Sequence, residues 1–332
     1  MPGPAGWKPQ PDDYKDWIYD APASLKIEES VDLRKTAHMQ HQAFDQLSLD
    51  SCTANAIAAA LKYGENASAW RNHDVPYNPS RMFIWYFERI MNVTEGGLLD
   101  PSELAKVFDS TVTEITTKEG KKYLRAEIVA EIRKDATCEE RNGMKALKQY
   151  GVCSEDRWVY NGTSYDTMPD GALKEGLDYI DPDFTYWRIK DRGDYKSGGG
   201  SKVIADMEAA LSEGYPVIFG FWVPEKHDSL NSNGTTTSEW GLDQEFVYNG
   251  WLNNGDERWG HAVLAVGYDK AKQRFLVLNS WGEKWGDNGY FWLPYQWFSE
   301  KDGMWVETLG QDEIARADDI WVIKSPHSKQ VT

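Results

Sequence analysis

The stretch DQLSLDSCTANAIAAALKY (45–63) places a cysteine, Cys52, where a polar, turn-like segment becomes an alanine-rich helix. After Cys52, apolar residues recur at helical spacing, which predicts a helix that packs closely between its neighbours. A thiol at a helix N-terminus can be a small buried residue. It can also be a nucleophile, because the unpaired N–H groups and the helix dipole favour the thiolate there. The choice depends on whether the rest of the chain supplies the partners that a thiolate needs.

Outward from this helix, the chain of 332 residues divides into a helical half and a strand-rich half. Helical periodicity recurs at 79–91 and at 143–151, whereas short runs rich in Val, Phe, Tyr and Trp follow residue 158. We therefore predict an α+β fold with a cleft between two lobes. The predicted parts are an extended N-terminal segment (1–30), a helical lobe (31–158) and a β-rich lobe (159–332).

A charged insertion is predicted at about 99–137 within the helical lobe. Asp100 can cap a helix that has Pro101 at its first position, and Glu103 can complete a capping box. Helix-period residues continue to about Ile115, and a second helix is indicated after the break at TKEGKK, so the insertion is predicted to be a helical hairpin.

Composition limits the classes of partner. The net charge is −17, from 53 acidic and 36 basic residues, which argues against nucleic acid or an anionic membrane as partner. The chain has no run of 18 apolar residues, its N-terminus lacks the features of a secretory signal, and its three cysteines cannot form a closed disulfide framework. We therefore expect a cytoplasmic protein, although four N-x-Ser/Thr sequons, at Asn66, Asn92, Asn161 and Asn233, leave secretion open.

The partners that a nucleophilic Cys52 needs are present. Of the six histidines, His261 differs because it begins HAVLAVGY, which has the pattern of a buried strand. Asn279 follows 18 residues later, and its amide oxygen could fix the tautomer of His261. Gln46 could help the backbone N–H of Cys52 to hold an oxyanion, and Trp281 could keep water away from the His261–Asn279 hydrogen bond.

Together these residues resemble those of the papain-like cysteine peptidases, the C1 family, in its prokaryotic and fungal branch that lacks a long prodomain. The resemblance extends from about residue 30 to 300. It is carried by Gln46 with SCTANA (51–56), EGG (95–97), KALKQYGV (145–152), GHAVLAVGYD (260–269) and NSWGEKWGDNGYFWL (279–293). It implies a helical lobe and an antiparallel, β-barrel-like lobe with the active site in the cleft between them. It also implies a monomeric hydrolase that cleaves peptides or proteins and needs no metal or cofactor.

The resemblance assigns a role to each matching position. Cys52 would be the nucleophile, His261 the general base and acid, Asn279 the residue that orients His261, and Gln46 part of the oxyanion hole. Trp281 would shield this group. The substrate-binding residues would be Gly96 and Gly97, as a glycine pair whose backbone binds an extended peptide, together with Gly260, Ala262 and Trp281. Gly220 could border the same subsite, which would leave room for a bulky apolar side chain. The alternative for the glycine pair is a plain turn before the cap at Asp100.

Two positions depart from the family pattern, which usually has glycine where this chain has Leu47 and Asp50. Asp tolerates the left-handed region better than most residues, so Asp50 is expected to preserve the shape of the loop. Its carboxylate would raise the pKa of Cys52, unless it instead stabilises protonated His261 or points into solvent. Leu47 would narrow the cleft if it points inward.

Regulation and function are left with open alternatives. Inhibition by a cleaved propeptide is not expected, because no segment of about a hundred residues precedes the part that resembles the family. The insertion either restricts access to the cleft or is a solvated addition without a role. Besides a cysteine peptidase, the sequence is compatible with a catalytically silent papain-fold protein that binds peptides, or with a transferase or ligase that uses the same acyl-enzyme.

Overall fold

A computed structural model describes residues 6–11, 13–35, 43–63, 78–163, 167–182, 184–190, 199–224, 258–299 and 317–324. The helices in these ranges are α1 (Cys52–Tyr63), α2 (Arg81–Val93), α3 (Pro101–Lys106), α4 (Arg125–Ile132), α5 (Glu140–Tyr150), α6 (Ala172–Asp178), α7 (Gly199–Ser212) and α8 (Gln296–Ser299), with a 3-10 turn at Leu33–Lys35. The strands are β1 (Ser30–Asp32), β2 (Glu114–Thr116), β3 (Lys122–Leu124), β4 (Thr185–Ile189), β5 (Val217–Pro224), β6 (Arg258–Asp269), β7 (Arg274–Leu278), β8 (Tyr290–Pro294) and β9 (Ala317–Lys324).

The helical lobe is built around α1. Its alanines allow α2, α5 and β6 to approach closely, so almost every side chain of α1 is buried. The hydroxyl of Ser80 accepts the N–H of Phe83 and so caps the N-terminus of α2. At Gly151 the backbone ends α5 with a φ of 61°, a conformation that favours glycine. These ends fix the helices that hold the start of α1 in place.

The insertion differs from the predicted helical hairpin. The helix that starts after Asp100 ends at Lys106 rather than near Ile115, and β2 and β3 then form an antiparallel hairpin before α4. The β-branched residues of Thr113–Thr117 favour a strand over a helix, and Gly120 supplies the positive φ of the turn. Asp100 does occupy the N-cap position with Pro101 after it, but its side chain makes no capping hydrogen bond. Glu103 instead accepts the N–H of Thr116 at 2.9 Å.

The second lobe is an antiparallel sheet in the order β4-β9-β5-β6-β7-β8, with β1 also paired to β6. The sheet does not close into a barrel among the described residues, because its two end strands, β4 and β8, do not pair with each other. The predicted α+β fold with two lobes is confirmed. In β6, His261 lies opposite Phe221 and Ala262 lies opposite Gly220 of β5. Within the described ranges, no helix combines the length and the apolar character needed to cross a membrane.

The N-terminal segment runs across both lobes. Trp7 forms a parallel bridge with Cys138, just before α5. The backbone N–H of Trp7 donates to the carbonyl of Gly260 in β6 at 3.4 Å. Farther along, Tyr19 and Trp17 exchange backbone hydrogen bonds with Arg188 of β4, at 2.8 and 2.7 Å. The segment is extended, as the sequence predicts. Its start nevertheless lies between the lobes, where Trp7 is only 1% exposed.

Candidate active site

Cys52 and His261 lie on α1 and β6, two elements that pack against each other. Cys52 is the first residue of α1 and is fully buried. Ala262, the residue after His261, donates its backbone N–H to the sulfur of Cys52 at 3.3 Å. The start of α1 therefore places the thiol beside the residue that follows His261, the histidine predicted from the sequence. His38, His41, His73, His227 and His327 lie outside the described residues.

Asn279 fixes the tautomer of His261. Its Oδ1 lies 2.7 Å from Nε2 of His261 and also accepts the backbone N–H of Ser280 at 2.8 Å. Because Oδ1 is the acceptor in both bonds, Nε2 of His261 must carry the hydrogen. The basic nitrogen of the imidazole is therefore Nδ1.

Aromatic rings enclose the imidazole. Trp281 stacks on His261, with a distance of 4.8 Å between ring centroids and an interplanar angle of 25°. Phe221 meets the ring edge-on at 5.8 Å. The sequence pattern predicts this position of Trp281, two residues after Asn279. The two aromatic rings keep water from the His261–Asn279 hydrogen bond, because they leave the imidazole fully buried.

Gln46 connects the loop before Cys52 with the segment after Asn279. Its side-chain N–H donates to the carbonyl of Leu49 at 3.1 Å, and its Oε1 accepts the hydroxyl hydrogen of Ser280 at 2.7 Å. Its backbone N–H also donates to the carbonyl of Ser280, at 2.8 Å. These bonds hold a buried glutamine amide between the two lobes, six residues before the nucleophile.

Burial keeps this thiol–imidazole pair neutral. Removal from water raises the pKa of Cys52 well above its usual value, and Glu140 and Asp50 raise it further. The hydrogen bonds from the backbones of Ala262 and Gly6 act in the opposite direction. Burial likewise lowers the pKa of His261 to about 4, and its hydrogen bond with Asn279 offsets only part of this shift. The closed arrangement therefore favours the thiol and the neutral imidazole over the thiolate–imidazolium pair.

Leu47 and Asp50, the two departures from the family pattern, differ in backbone conformation and in exposure. Leu47, not Asp50, adopts the left-handed backbone conformation, with a φ of 54°. Its side chain is 48% exposed and lies against Gly162, so it points away from the interior. Asp50 does not take up the conformation expected of it. It is half-buried and donates its N–H to Asp135 at 2.7 Å, and burial followed by the charge of Asp135 raises its pKa to about 7.

The N-terminal segment covers Cys52. A Cβ added at Gly6 would overlap the carbonyl oxygen of Asp50 and lie 3.0 Å from the nitrogen of Cys52, so only glycine fits so close to the thiol. The sulfur is surrounded by the amide groups of Gly6 and Ala262, and Cys138 donates its N–H to the carbonyl of Gly6 at 2.6 Å. Access to Cys52 therefore requires displacement of this segment.

Gly96 and Gly97 lie elsewhere. The atoms nearest to a Cβ at these positions belong to Lys145, Asn142, Thr117 and Thr94, which lie on α5 or around the insertion rather than around Cys52. The structure does not place this glycine pair against Cys52. Cys138 instead supplies the backbone that pairs beside it, with hydrogen bonds to Gly6 and to Lys8 at 2.6 and 3.1 Å.

Neither the backbone pairing of Cys138 nor the position of the N-terminal segment over Cys52 was predicted from the sequence. Cys138 contributes its backbone, which carries no signature of residue type. The available signal was its place directly before the helix of the KALKQYGV motif. For the segment, the signal was a glycine followed by a tryptophan within an otherwise polar, proline-rich stretch.

The chain matches the family described as papain family cysteine protease over residues 139–301, a range that contains His261 and Asn279. An uncharacterized peptidase C1-like protein of Acanthamoeba polyphaga mimivirus is 29% identical over 309 residues, which cover 90% of this chain and 75% of the viral protein. Among solved structures, xylellain, a cysteine protease from Xylella fastidiosa, superposes with a TM-score of 0.65 and 26% identity over 98% of this chain and 97% of xylellain.

A more distant fold relative is the digestive procathepsin L2 proteinase from the larval midgut of Tenebrio molitor. It superposes with a TM-score of 0.53 and 16% identity, over 97% of this chain and 78% of that protein. At this identity the match concerns the fold alone.

Proposed function

The chain belongs to the papain-like, or C1, family of cysteine peptidases, and on this premise we propose that it hydrolyses peptide bonds through a thioester on Cys52. The observation that carries the proposal is the fixed tautomer of His261. Asn279 and Ser280 hold its hydrogen on Nε2 while the next residue contacts the sulfur of Cys52, which leaves Nδ1 to accept the thiol proton.

In the first half of the reaction, the Cys52 sulfur attacks the carbonyl carbon of the peptide and its proton passes to Nδ1 of His261. The backbone N–H of Cys52 and the amide of Gln46 would hold the resulting oxyanion. The C–N bond then breaks, and His261 returns the proton to the departing amine. In the second half, His261 takes a proton from water and the hydroxide attacks the thioester carbon. The C–S bond then breaks, His261 returns its proton to the sulfur, and the released acid loses a proton to solvent as the carboxylate.

The substrate is a peptide or protein segment that replaces the N-terminal segment in the cleft. The backbone of Cys138 can bind an extended chain there, because it already pairs with Gly6 and Lys8. Opening the cleft also returns water to Cys52 and His261, which weakens the burial that keeps the pair neutral. Substrate entry and formation of the ion pair are thus coupled.

The test uses the full chain, a pool of fluorogenic peptides and iodoacetamide. We expect hydrolysis, and we expect Cys52 to be alkylated faster than the other two thiols. Burial raises the pKa of Cys153 to about 12 and that of Cys138 still further. The Cys52→Ser variant, which retains both other cysteines, is expected to lose hydrolysis and the fast alkylation.

Two outcomes would contradict the proposal. If no peptide is cleaved and Cys52 is alkylated no faster than Cys153, the chain is a silent member of the fold that binds peptides. If added amino-acid amides are incorporated into most of the product, the acyl-enzyme serves a transferase. Product analysis by mass spectrometry separates hydrolysis from transfer.

A further inference from the structure

The side chain of Trp7 occupies a defined pocket beside the nucleophile. A Cβ added at Gly220 of β5 or at Gly260 of β6 would overlap the atoms of Trp7, so the two glycines create the space for the indole. The ring of Trp222 meets the indole edge-on, with 5.2 Å between centroids. This Trp7 pocket therefore admits a large, flat or extended side chain in contact with apolar surface.

A carboxyl group forms one end of the Trp7 pocket. Glu140, the first residue of α5, is completely buried, and the indole N–H of Trp7 faces it. The indole N–H lies close enough to lower the pKa of Glu140, but neither carboxyl oxygen reaches full hydrogen-bonding geometry with a side chain of the described residues, so this contact is weak. A buried carboxyl without a partner is costly in free energy, and a donor that entered the pocket would remove that cost.

The charges near Glu140 make its ionisation unfavourable unless a cation lies beside it. The charged groups with the largest effect on it are Asp319 and Glu88, both acidic. Asp319 itself is paired, because it accepts hydrogen bonds from Arg188 and from the backbone N–H of Gln10, each at 2.8 Å. Gln10 belongs to the N-terminal segment, so displacement of the segment removes one of these two donors. Arg188 and Arg141 remain near Asp319, whereas no arginine or lysine is among the groups with the largest effect on Glu140.

We propose that the Trp7 pocket selects a lysine or arginine side chain of the substrate, with its cationic end on Glu140. The inference rests on the proposed peptidase function and specifies its substrate class. The aliphatic stem of either residue can lie between Gly220 and Gly260 against the indole of Trp222, as the indole of Trp7 does now. The room for a bulky apolar side chain that the sequence predicts is thus filled by the aliphatic stem of the lysine or arginine. The charged end of that side chain lies on Glu140.

The experiment measures selectivity in the full chain. Fluorogenic peptides carry Lys, Arg, Gln, norleucine or Phe at each of the three positions before the cleaved bond, and kcat/KM is measured for each. At one position we expect Lys or Arg to exceed norleucine and Gln. The Glu140→Gln substitution should lower kcat/KM for the cationic peptides about 10- to 100-fold, as for loss of a charged hydrogen bond, and change the norleucine value little.

Glu208→Gln is the matched control, because Glu208 is a buried carboxyl that accepts the hydroxyl hydrogen of Tyr295 at 2.8 Å and is not one of the charges that act on Glu140. It should leave the ratio of cationic to norleucine peptides unchanged. The melting temperature of each variant identifies a loss of folding. A second measurement does not depend on turnover: peptides with Lys or norleucine are titrated into Cys52→Ser, with and without Glu140→Gln, and their Kd values are compared.

The outcomes separate the inference from the function. Hydrolysis with a preference for norleucine or Phe, or a Lys preference that survives Glu140→Gln, would overturn the inference and leave the peptidase standing. Absence of hydrolysis, together with tighter binding of the Lys peptide that Glu140→Gln abolishes, would overturn the peptidase and support the pocket. If the Cys52→Ser variant binds both peptides equally, the inference fails regardless of activity.

Discussion

Asp50 lies two residues before a thiol whose ionisation it opposes. Its carboxyl is half-buried, one oxygen lacks a hydrogen-bond partner among the described residues, and its charge raises the pKa of Cys52. Burial, together with the charge of Asp135, raises its own pKa to about 7. The carboxyl therefore gains its charge near neutral pH, and above that pH it makes the thiolate harder to form.

Replacing Asp50 with asparagine should lower the pKa of Cys52 above neutral pH, because it removes a nearby negative charge and keeps the shape of the side chain. The measurement is the pH profile of iodoacetamide alkylation at Cys52. Glu127→Gln, at an exposed position of α4, is the control for the change in net charge and should leave the profile in place. An unchanged profile in Asp50→Asn would show that the carboxyl does not act on the thiol.

At the residue scale, the sequence predicted the chemical groups better than the backbone conformation. The candidate site residues could be predicted because a nucleophilic thiol needs a base, a residue that orients the base and a donor for the oxyanion. These residues are Cys52, His261, Asn279, Gln46 and Trp281. The left-handed residue could not be identified in this way. Asp50 was predicted to be left-handed because Asp tolerates that backbone conformation better than most residues. In the structure Leu47 adopts it, with a φ of 54°, because the side chain of Leu47 packs against Gly162 and its backbone N–H donates to Asp45.

At the scale of elements, the N-terminal segment is held by side chains as well as by backbone pairing. Asp16 accepts hydrogen bonds from both Arg141 of α5, at 2.6 Å, and Arg188 of β4, at 3.5 Å. Trp7 fills its pocket at one end, and Tyr19 bonds Glu213 at 2.5 Å at the other. The segment is therefore fastened at several points to both lobes, and each point contributes to covering Cys52.

Loss of the Trp7 side chain should open the cleft. A buried tryptophan contributes about 3–5 kcal/mol relative to alanine, so Trp7→Ala should increase the rate of Cys52 alkylation about tenfold or more. Tyr14→Ala is the matched control, because Tyr14 is an aromatic residue of the same segment that is 93% exposed. Equal rates in the two variants would mean that the segment does not limit access to the thiol.

The elements themselves were predictable to different degrees. Strong 3.6-residue periodicity identified α1, α2 and α5, because each buries one face or more in the core. The same criterion failed in the insertion, where apolar residues of a short two-stranded hairpin fell by chance at helical spacing. The path of the segment before β1 could not be predicted, since it depends on contacts with residues more than a hundred positions away.

For the whole molecule, buried ionisable groups give stability an unusual dependence on pH. Burial raises the pKa of Glu88 to about 8, while an unfolded glutamic acid titrates near ~4.3. Its contribution to stability is therefore complete below about pH 4 and is lost as the pH rises through about 8. The opposite holds for His261, whose pKa is lowered to about 4, so its contribution is present above about pH 6.5 and is lost as the pH falls through about 4.

Because raised carboxyl pKa values also occur at Glu140, Asp319 and Asp50, the acidic groups outnumber His261, and the free energy of unfolding should fall from about pH 5 to pH 8. Denaturant titrations at these pH values measure the slope. Glu88→Gln should reduce it by up to about 1.4 kcal/mol per pH unit, whereas the exposed Glu127→Gln should not. A slope that is the same in Glu88→Gln and the parent chain would show that Glu88 ionises normally.

The covalent link between the N-terminal segment and the lobes that it bridges has a consequence for concentration. A tethered segment faces its own cleft at an effective concentration on the order of millimolar, whatever the amount of protein in solution. Dilution therefore cannot expose Cys52, and a free peptide must exceed this local concentration or bind more tightly than Gly6 and Trp7 to take their place. The onset of substrate binding is thus set by the length and the anchors of the segment, and it should be the same in a crowded solution and in a dilute one.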